Sequence, residues 1–269
     1  MKKIHSYSLQ GRREYNEDTH FHIENLDGKI KEINDVNFIG LFDGHGGKKI
    51  SSYLKENLPL YFLKKYNTDI YSKPSKATKL FNKFFNIVQN NLIAEHPQII
   101  KRCGSTACIG IHHKHKNQHK LWVLNVGDTR MVKCNKMNIA EQLSLDHKPN
   151  EPSEKQRITQ LGGEVKKAPN DDYRIGNLAV SRAFGDLDCV PYVTHNPSIY
   201  YYNINQGDKF IILGCDGVWD VLSNQDAVDY VNSLLLNGSY RGNIAKDLAD
   251  YAYCNHSSDN ITIIVYLLE

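Results

Sequence analysis

The start of the chain carries three runs of hydrophobic residues with the spacing of β-strands. Residues 4–9 alternate apolar and polar side chains, the period of two that is typical of a half-buried strand. A second short strand is predicted at 19–23, and a turn is predicted within 25–34. The run at 36–42 is apolar almost throughout, which indicates a strand that is covered on both faces. We therefore expect a sheet to form early in the chain.

Further along, hydrophobic residues three and four positions apart predict helices. Two long helices are expected at 48–66 and 74–96, and Pro59 is expected to bend or interrupt the first because proline lacks an amide donor. Shorter helices are expected at 154–161, 223–236 and 243–253, and further strands at 106–111, 121–126, 130–134, 177–181, 210–214 and 261–267. Gly127-Asp128 is predicted to be a turn within a β-meander, and 166–173 a loop. Strands in runs and helices in pairs favour an α+β layered sandwich over alternating β-α-β units.

Length and composition indicate an ordinary folded protein. A chain of 269 residues can bury a sizeable core, and we expect a single domain over 1–269. The formal net charge of +3 is too small to indicate binding to nucleic acid or to a membrane surface. No apolar stretch approaches the length of a membrane span and no signal segment precedes the first strand, so we expect a cytoplasmic or nuclear protein whose cysteines are reduced.

Acidic residues stand at the ends of several apolar strands, at the point where each strand would meet solvent. Asp43, which is followed by Gly44 and His45, comes after a strand, as do Asp216 and Asp128, whereas Asp259 and the pair Glu17-Asp18 come just before one. If these strand ends share one edge of a sandwich, the carboxylates converge, and they repel one another unless divalent cations lie between them. Carboxylates that clamp two metals are typical of hydrolases acting on phosphate esters. Taken singly, each acid is better explained as a solvated turn residue, so the repeated pattern carries the prediction.

Eight segments resemble, in chain order, the motifs of the metal-dependent type 2C protein serine/threonine phosphatases. They are 11–18, 42–47, 104–107, 125–130, 146–149, 178–186, 215–220 and 258–260. Each motif alone is weak, but eight in the family's order are specific, and together they span almost the whole chain. The resemblance implies a four-layer α/β/β/α sandwich, in which two central antiparallel sheets are flanked by helices.

The resemblance also implies a centre of two Mn²⁺ or Mg²⁺ ions at one end of the sandwich, with a weaker third ion. The implied ligands are Glu17, Asp43, the Gly44 carbonyl, Asp128, Asp216 and Asp259, with Asp43 bridging two ions and Asp128 beside the third. A small flap is expected within 162–196. Its detail is open, because 174–177 departs from the valine-asparagine-glycine run that is common in the family.

By the same resemblance, the reaction is hydrolysis of phosphoserine and phosphothreonine in proteins. A water that bridges the two metals attacks phosphorus, and no phosphoenzyme forms. Arg13 is expected to bind the substrate phosphate, Asp18 to orient a metal-bound water, and His45 to protonate the departing oxygen as a general acid. The expected partners are phosphoprotein substrates, with no nucleic acid and no membrane, and the protein is expected to be a monomer.

Two other interpretations compete with this one. A catalytically weak pseudophosphatase that acts as a binding adaptor would have the same fold, but such proteins lose metal-binding acids and this chain retains all of them. A structural zinc site is suggested by the following residues: Cys103, Cys108, His112, His113, His115 and His119. Their spacing lacks the C-x-x-C pair of a zinc knuckle, so a solvated hairpin is the better interpretation.

Overall fold

The computed structural model describes residues 3–24, 36–65, 68–115, 118–168, 172–236, 238 and 240–268. Within these residues the strands are β1 Ile4–Leu9, β2 Thr19–Ile23, β3 Val36–Phe42, β4 Gly44–His45, β5 Gly104–Ser105, β6 Ala107–His115, β7 Gln118–Val126, β8 Arg130–Cys134, β9 Ala140–Gln142, β10 Lys166–Lys167, β11 Tyr173–Arg174, β12 Phe184–Gly185, β13 Ser198–Ile204, β14 Phe210–Gly214 and β15 Ile261–Leu267. The helices are α1 Lys49–Lys65, α2 Thr68–Tyr71, α3 Pro74–Glu95, α4 Pro152–Gln160, α5 Asp216–Trp219, α6 Asn224–Leu236 and α7 Ile244–Cys254. The turn predicted within 25–34 lies outside the described residues.

Two five-stranded antiparallel sheets form the centre of the molecule. Their strand orders are β1-β15-β14-β8-β9 and β13-β7-β6-β3-β2. Helices α6 and α7 pack on the outer face of the first sheet, and α1 and α3 on the outer face of the second. A third hydrophobic cluster fills the space between the sheets. The predicted four-layer α/β/β/α sandwich is confirmed.

Strand β3 shows how the sequence pattern produces these layers. All seven of its residues are buried. Phe38 and Phe42 face the helices, whereas Ile39 and Leu41 face the other sheet, because successive strand residues point to opposite faces. Burying one such side chain stabilises the fold by about 1.5–3 kcal/mol. This continuous burial fixes where β3 ends, and Asp43 follows directly.

Helix α1 continues through Pro59. The prediction that Pro59 could interrupt this helix is therefore wrong. An internal proline costs about 3 kcal/mol in an isolated helix. Here Leu58 and Phe62, on either side of Pro59, are buried against the second sheet, and this burial offsets the lost hydrogen bond. The helix predicted at 223–236 opens with a capping box, since the Asp226 amide donates to Ser223 Oγ at 3.1 Å.

Two predictions in the irregular middle of the chain are wrong, and one strand there was not predicted. Residues 177–181 do not form a strand, because Gly176 adopts a left-handed φ of 60° and turns the chain so that Ile175 pairs with Leu178. The predicted loop at 166–173 contains the short pair β10–β11. Strand β13 was not predicted; it is an edge strand whose residues are mostly half-buried, which hides the alternation.

None of the described helices is long and apolar enough to cross a membrane.

The predicted meander is also wrong, because β7 and β8 belong to different sheets. Gly127, with φ of 98°, directs the chain from one sheet to the other. Its carbonyl accepts hydrogen bonds from the amide of His147 at 3.0 Å and from Asn125 Nδ2 at 3.0 Å. The next residue, Asp128, is therefore held at the end of the sandwich where the two sheets meet.

Candidate metal centre

Asp43 is placed by backbone hydrogen bonds at the end of β3. Its amide donates to Thr106 Oγ1 at 3.0 Å, and the Thr106 amide donates to the Asp43 carbonyl at 2.8 Å. Thr106 Oγ1 also contacts Thr129 Oγ1 at 2.7 Å, which ties the turn before β6 to the turn before β8. The backbone of the predicted bridging ligand is therefore fixed before any ion binds.

Asp18 and Asp43 lie together at the same end of the sandwich. Each has a carboxylate oxygen within 4.8 Å of the other and of Cys215 Sγ. Both oxygens of Asp18 are buried, and neither has a hydrogen-bond partner among the described residues. An orphaned buried carboxylate is costly unless a cation or an ordered water meets it. Cys215 donates its thiol proton to the Asn260 carbonyl at 3.3 Å and accepts the Thr262 amide at 3.2 Å, so its sulfur is already engaged.

The electrostatics show that the predicted acids converge. Burial raises the pKa of Asp43 well above its ordinary value, and further increases come from nearby carboxylates, namely Asp18, Asp216, Asp128 and Asp259. Burial likewise raises the pKa of Asp216, with further increases from Asp128, Asp220 and Asp259. Burial raises the pKa of Asp18 to about 6, although Thr262 and Cys215 nearby lower it part of the way.

This donor set fits hard divalent cations. Carboxylate oxygens are the ligands that Mg²⁺ and Mn²⁺ prefer. A divalent cation would neutralise the repulsion between the carboxylates and would give the buried oxygens of Asp18 a partner. Glu17 and Gly44 lie against each other on one side of the cluster: a side chain at Gly44 would come within 2.6 Å of the Glu17 carbonyl. The backbones of these two predicted ligand residues are thus neighbours.

Asp128 has a partner that the sequence did not indicate. Lys148 Nζ lies 2.6 Å from Asp128 Oδ2, and the Asp128 side chain is almost fully buried. Burial alone would lower the pKa of Lys148, but the charges of Asp128, Asp216 and Asp220 raise it above its ordinary value. The position predicted for a third ion is therefore already reached by an ammonium group.

Arg13 and Asp259 form an ion pair at the mouth of the site. Arg13 Nη2 lies 2.6 Å from Asp259 Oδ2, and 57% of the Arg13 side chain is exposed to solvent. Asn260 holds the loop that carries Arg13: its amide nitrogen donates to the carbonyls of Gln10 and Tyr15, and its oxygen accepts the Glu17 amide at 2.9 Å. One side chain thus positions both the predicted phosphate-binding arginine and a predicted metal ligand.

His45 contacts a carboxylate from a distant part of the chain. Its Nε2 lies 2.7 Å from Asp186 Oδ2, and the Asp186 side chain is only 2% exposed. Burial lowers the pKa of His45, but the hydrogen bond to Asp186 and its charge more than offset this, so that the net pKa is raised. Glu17 contributes to the same increase, which places it near the imidazole.

Comparison with known proteins identifies the family. The model of the family described as Protein phosphatase 2C matches residues 3–261. The chain belongs to the protein phosphatase 2C family. It is therefore an enzyme of the protein serine/threonine phosphatase class, in a family that depends in general on metal ions.

Relatives of this phosphatase cover nearly all of it. Probable protein phosphatase 2C 44 of Oryza sativa subsp. japonica is 34% identical over 265 residues, which are 98% of this chain and 78% of that protein. Probable protein phosphatase 2C 45 of the same organism is 37% identical over 262 residues, 96% of this chain and 84% of that protein. The crystal structure of serine-threonine phosphatase 2C from Toxoplasma gondii superposes with a TM-score of 0.82 at 23% identity, covering 98% of this chain and 94% of that one, and so shows the same fold.

Several residues that organise the phosphatase site were not singled out in the sequence. They are Thr106, Lys148, Asp186 and Asn260. All four lie inside the eight motif segments, so their positions were marked but their contacts were not. Two of the residues suggested for zinc lie apart: His112 contacts Tyr266 between the sheets, whereas Cys103 donates to the Gly46 carbonyl beside the site. The expected solvated hairpin is wrong for His112 and His113, because both side chains are buried.

Proposed function

We propose that this phosphatase hydrolyses phosphoserine and phosphothreonine in proteins, using two Mn²⁺ or Mg²⁺ ions and no phosphoenzyme. The observation that supports this most is the convergence of the acids around Asp43, together with the two buried oxygens of Asp18, which have no hydrogen-bond partner in the described part of the chain. The proposed ligands are Glu17, Asp43, the Gly44 carbonyl, Asp216 and Asp259, with Asp128 beside a weaker third ion. When bound, the ions would lower the pKa of water and neutralise charge on the phosphate.

The protein's own groups would perform the remaining steps. Arg13 is exposed at the mouth, and its planar guanidinium can donate to two phosphate oxygens while it stays close to Asp259. Asp18 would hold the attacking water in line with the bond that breaks and would accept a proton from that water. His45 would donate a proton to the serine or threonine oxygen as the bond to phosphorus breaks.

The state of Cys215 supports hydrolysis without a covalent intermediate. It is the cysteine that lies among the acids, and burial together with the charge of Asp18 and Asp43 raises the pKa of its thiol well above the ordinary value. A protonated, hydrogen-bonded thiol is a poor nucleophile. Direct attack by water is therefore the simpler route.

A pseudophosphatase is the less favoured alternative. An adaptor without activity has no need to retain the acids, the arginine and the histidine, and here Asp18, Asp43 and Asp216 remain close together. Action as a monomer, and a cytoplasmic or nuclear location, stay predictions from the sequence.

The test is phosphate release from a phosphothreonine peptide, measured with Mn²⁺ or Mg²⁺ and with excess chelator. Metal-dependent turnover is expected in the wild type and should be lost in Asp43→Asn. Asp250→Asn is the matched control, because Asp250 is an exposed aspartate on α7 that pairs only with a surface lysine in the described structure. Full activity in Asp43→Asn, or no turnover with either metal in a folded wild-type protein, would refute the proposal; the second result would favour the adaptor.

A further inference from the structure

The contact between His45 and Asp186 is built by a small sheet of its own. Strands β12, β5 and β4 form a three-stranded sheet in that order, and Gly104 of β5 pairs with His45 on one side and Gly185 on the other. Asp186 follows Gly185 directly. The sheet therefore aligns an imidazole and a carboxylate that are 141 positions apart in the sequence.

Gly104 leaves the space in which the two side chains meet. A Cβ atom at this position would lie 2.1 Å from Asp186 Oδ2 and 2.5 Å from His45 Nε2, both far inside van der Waals contact. Any side chain at 104 would push the carboxylate and the imidazole apart. The absence of a side chain here is thus a condition for the contact.

The backbone of Asp186 is held in a conformation that favours the same geometry. Its φ of 52° lies in the left-handed region, which residues with a side chain seldom adopt because the side chain crowds the backbone there. The Asp186 amide donates to the Cys103 carbonyl at 3.2 Å, and the Gly185 amide donates at 3.1 Å to Oε1 of Gln89, a buried residue of α3. These hydrogen bonds hold the carboxylate against His45 in spite of the strain.

We propose that Asp186 is a positioning residue for His45: its carboxylate accepts the Nε2–H bond, fixes the orientation of the ring, and leaves Nδ1 to protonate the departing serine or threonine oxygen. This proposal rests on the proposed function. The bond from phosphorus to the leaving oxygen breaks as the bond from the water oxygen to phosphorus forms. Asp18 takes a proton from that water and the leaving oxygen takes the proton from Nδ1; exchange with solvent then removes the proton from Asp18 and returns one to the imidazole.

The alternative is that Asp186 serves only to pack the chain between β12 and β13 onto the core. The two roles differ in how the loss depends on the leaving group. A general acid matters for the alkoxide of threonine, which is a poor leaving group, and matters little for p-nitrophenolate. A packing role would lower both activities alike.

The experiment measures kcat on a phosphothreonine peptide and on p-nitrophenyl phosphate, with Mn²⁺, for the wild type and Asp186→Ala. We expect the peptide rate to fall by about 10- to 100-fold and the aryl phosphate rate by less than about threefold. Asp186→Asn keeps an acceptor oxygen and tolerates the left-handed backbone, so it should fold and show a smaller loss in the same direction. Asp188→Ala, two positions along and paired with exposed Arg102, is the matched control and should leave the ratio unchanged.

A double-mutant cycle tests whether Asp186 acts through His45. The His45→Ala/Asp186→Ala variant should be no slower on the peptide than His45→Ala alone, within about threefold. Mn²⁺ binding measured by calorimetry should be the same in the wild type and Asp186→Ala. Equal losses on the two substrates, or losses that multiply in the double variant, would overturn the proposal.

Nuclear magnetic resonance of the ¹⁵N-labelled imidazole separates this proposal from the proposed function. In the wild type, Nε2 of His45 should carry the hydrogen-bonded proton, and this signal should be lost in Asp186→Ala. If the signal is present but the folded wild type hydrolyses neither substrate, the proposed function fails while the contact stands. If Nε2 of His45 carries no such proton in an active wild type, the positioning role fails and the proposed function survives.

Discussion

The buried carboxylate of Glu154 ties helix α4 to the segment that carries the 178–186 motif. Its oxygens lie 2.5 Å from Arg182 Nη2 and 2.8 Å from Arg157 Nη2, and Ser181 Oγ donates to it at 2.8 Å. The side chain is 1% exposed, so solvent screens these interactions little. Burial raises the pKa of Glu154, but the hydrogen bonds and charges of the two arginines lower it to about 2 from its ordinary 4.5.

Glu154→Gln replaces the ionised carboxylate by a neutral amide, and so removes the charge interactions that lower the pKa of Glu154. A decrease of about 2.5 pH units corresponds to about 3 kcal/mol of stability, at 1.36 kcal/mol for each unit. Because the pKa is lower in the folded state, this contribution is fully present above about pH 4.5 and is lost as the pH falls through about 2. The variant should therefore be about 3 kcal/mol less stable at pH 7, and the difference should shrink to about 2 kcal/mol at pH 3.5.

Urea denaturation of both proteins at pH 7 and pH 3.5 measures the two differences. Glu151→Gln serves as a comparison, since Glu151 caps the same helix from a half-buried position. A loss below about 1 kcal/mol at pH 7, or a difference that does not change with pH, would refute the electrostatic account of this cluster.

Two further predictions concern the acids of the metal centre. Asp216→Asn should abolish metal-dependent activity, yet in excess chelator it should raise the melting temperature by about 2–4 °C. The reason is that the folded variant no longer holds an ionised carboxylate whose pKa is raised by burial and by neighbouring acids. A lower melting temperature in chelator would contradict this. Lys148→Met should strengthen Mn²⁺ binding beside Asp128 by about tenfold in calorimetry, because the competing ammonium 2.6 Å from that carboxylate is removed, and unchanged or weaker binding would show that Lys148 does not compete with an ion there.

Local pattern was sufficient for the elements that end in the site. The strands at 4–9, 19–23, 36–42, 210–214 and 261–267 are confirmed to the residue. Burial on two faces produces a continuous apolar run, and such a run ends where the chain meets solvent, so the acids that follow could be recognised from the sequence. The motif order then predicted the family and the fold, both of which are confirmed.

Pairing between distant segments could not be predicted in this way. Gly127-Asp128 has the composition of a hairpin turn, but whether the following strand joins the same sheet depends on which surface it buries, and β8 pairs with β14 rather than with β7. Edge strand β13 could not be predicted from the sequence for a related reason: its residues are half-buried on both faces, so apolar and polar side chains do not alternate along it.

The contacts that decide the chemistry are of the same long-range kind. Arg13 meets Asp259 across 246 positions, and His45 meets Asp186 across 141. Periodicity reports only the face on which a residue lies, because it follows from the local repeat of the backbone. The amino-acid sequence by itself determined the strands that border the site, the layers and the set of acids. The pairs Arg13–Asp259, Lys148–Asp128 and His45–Asp186 were decided by strand register and sheet packing, which bring together groups that no local repeat connects.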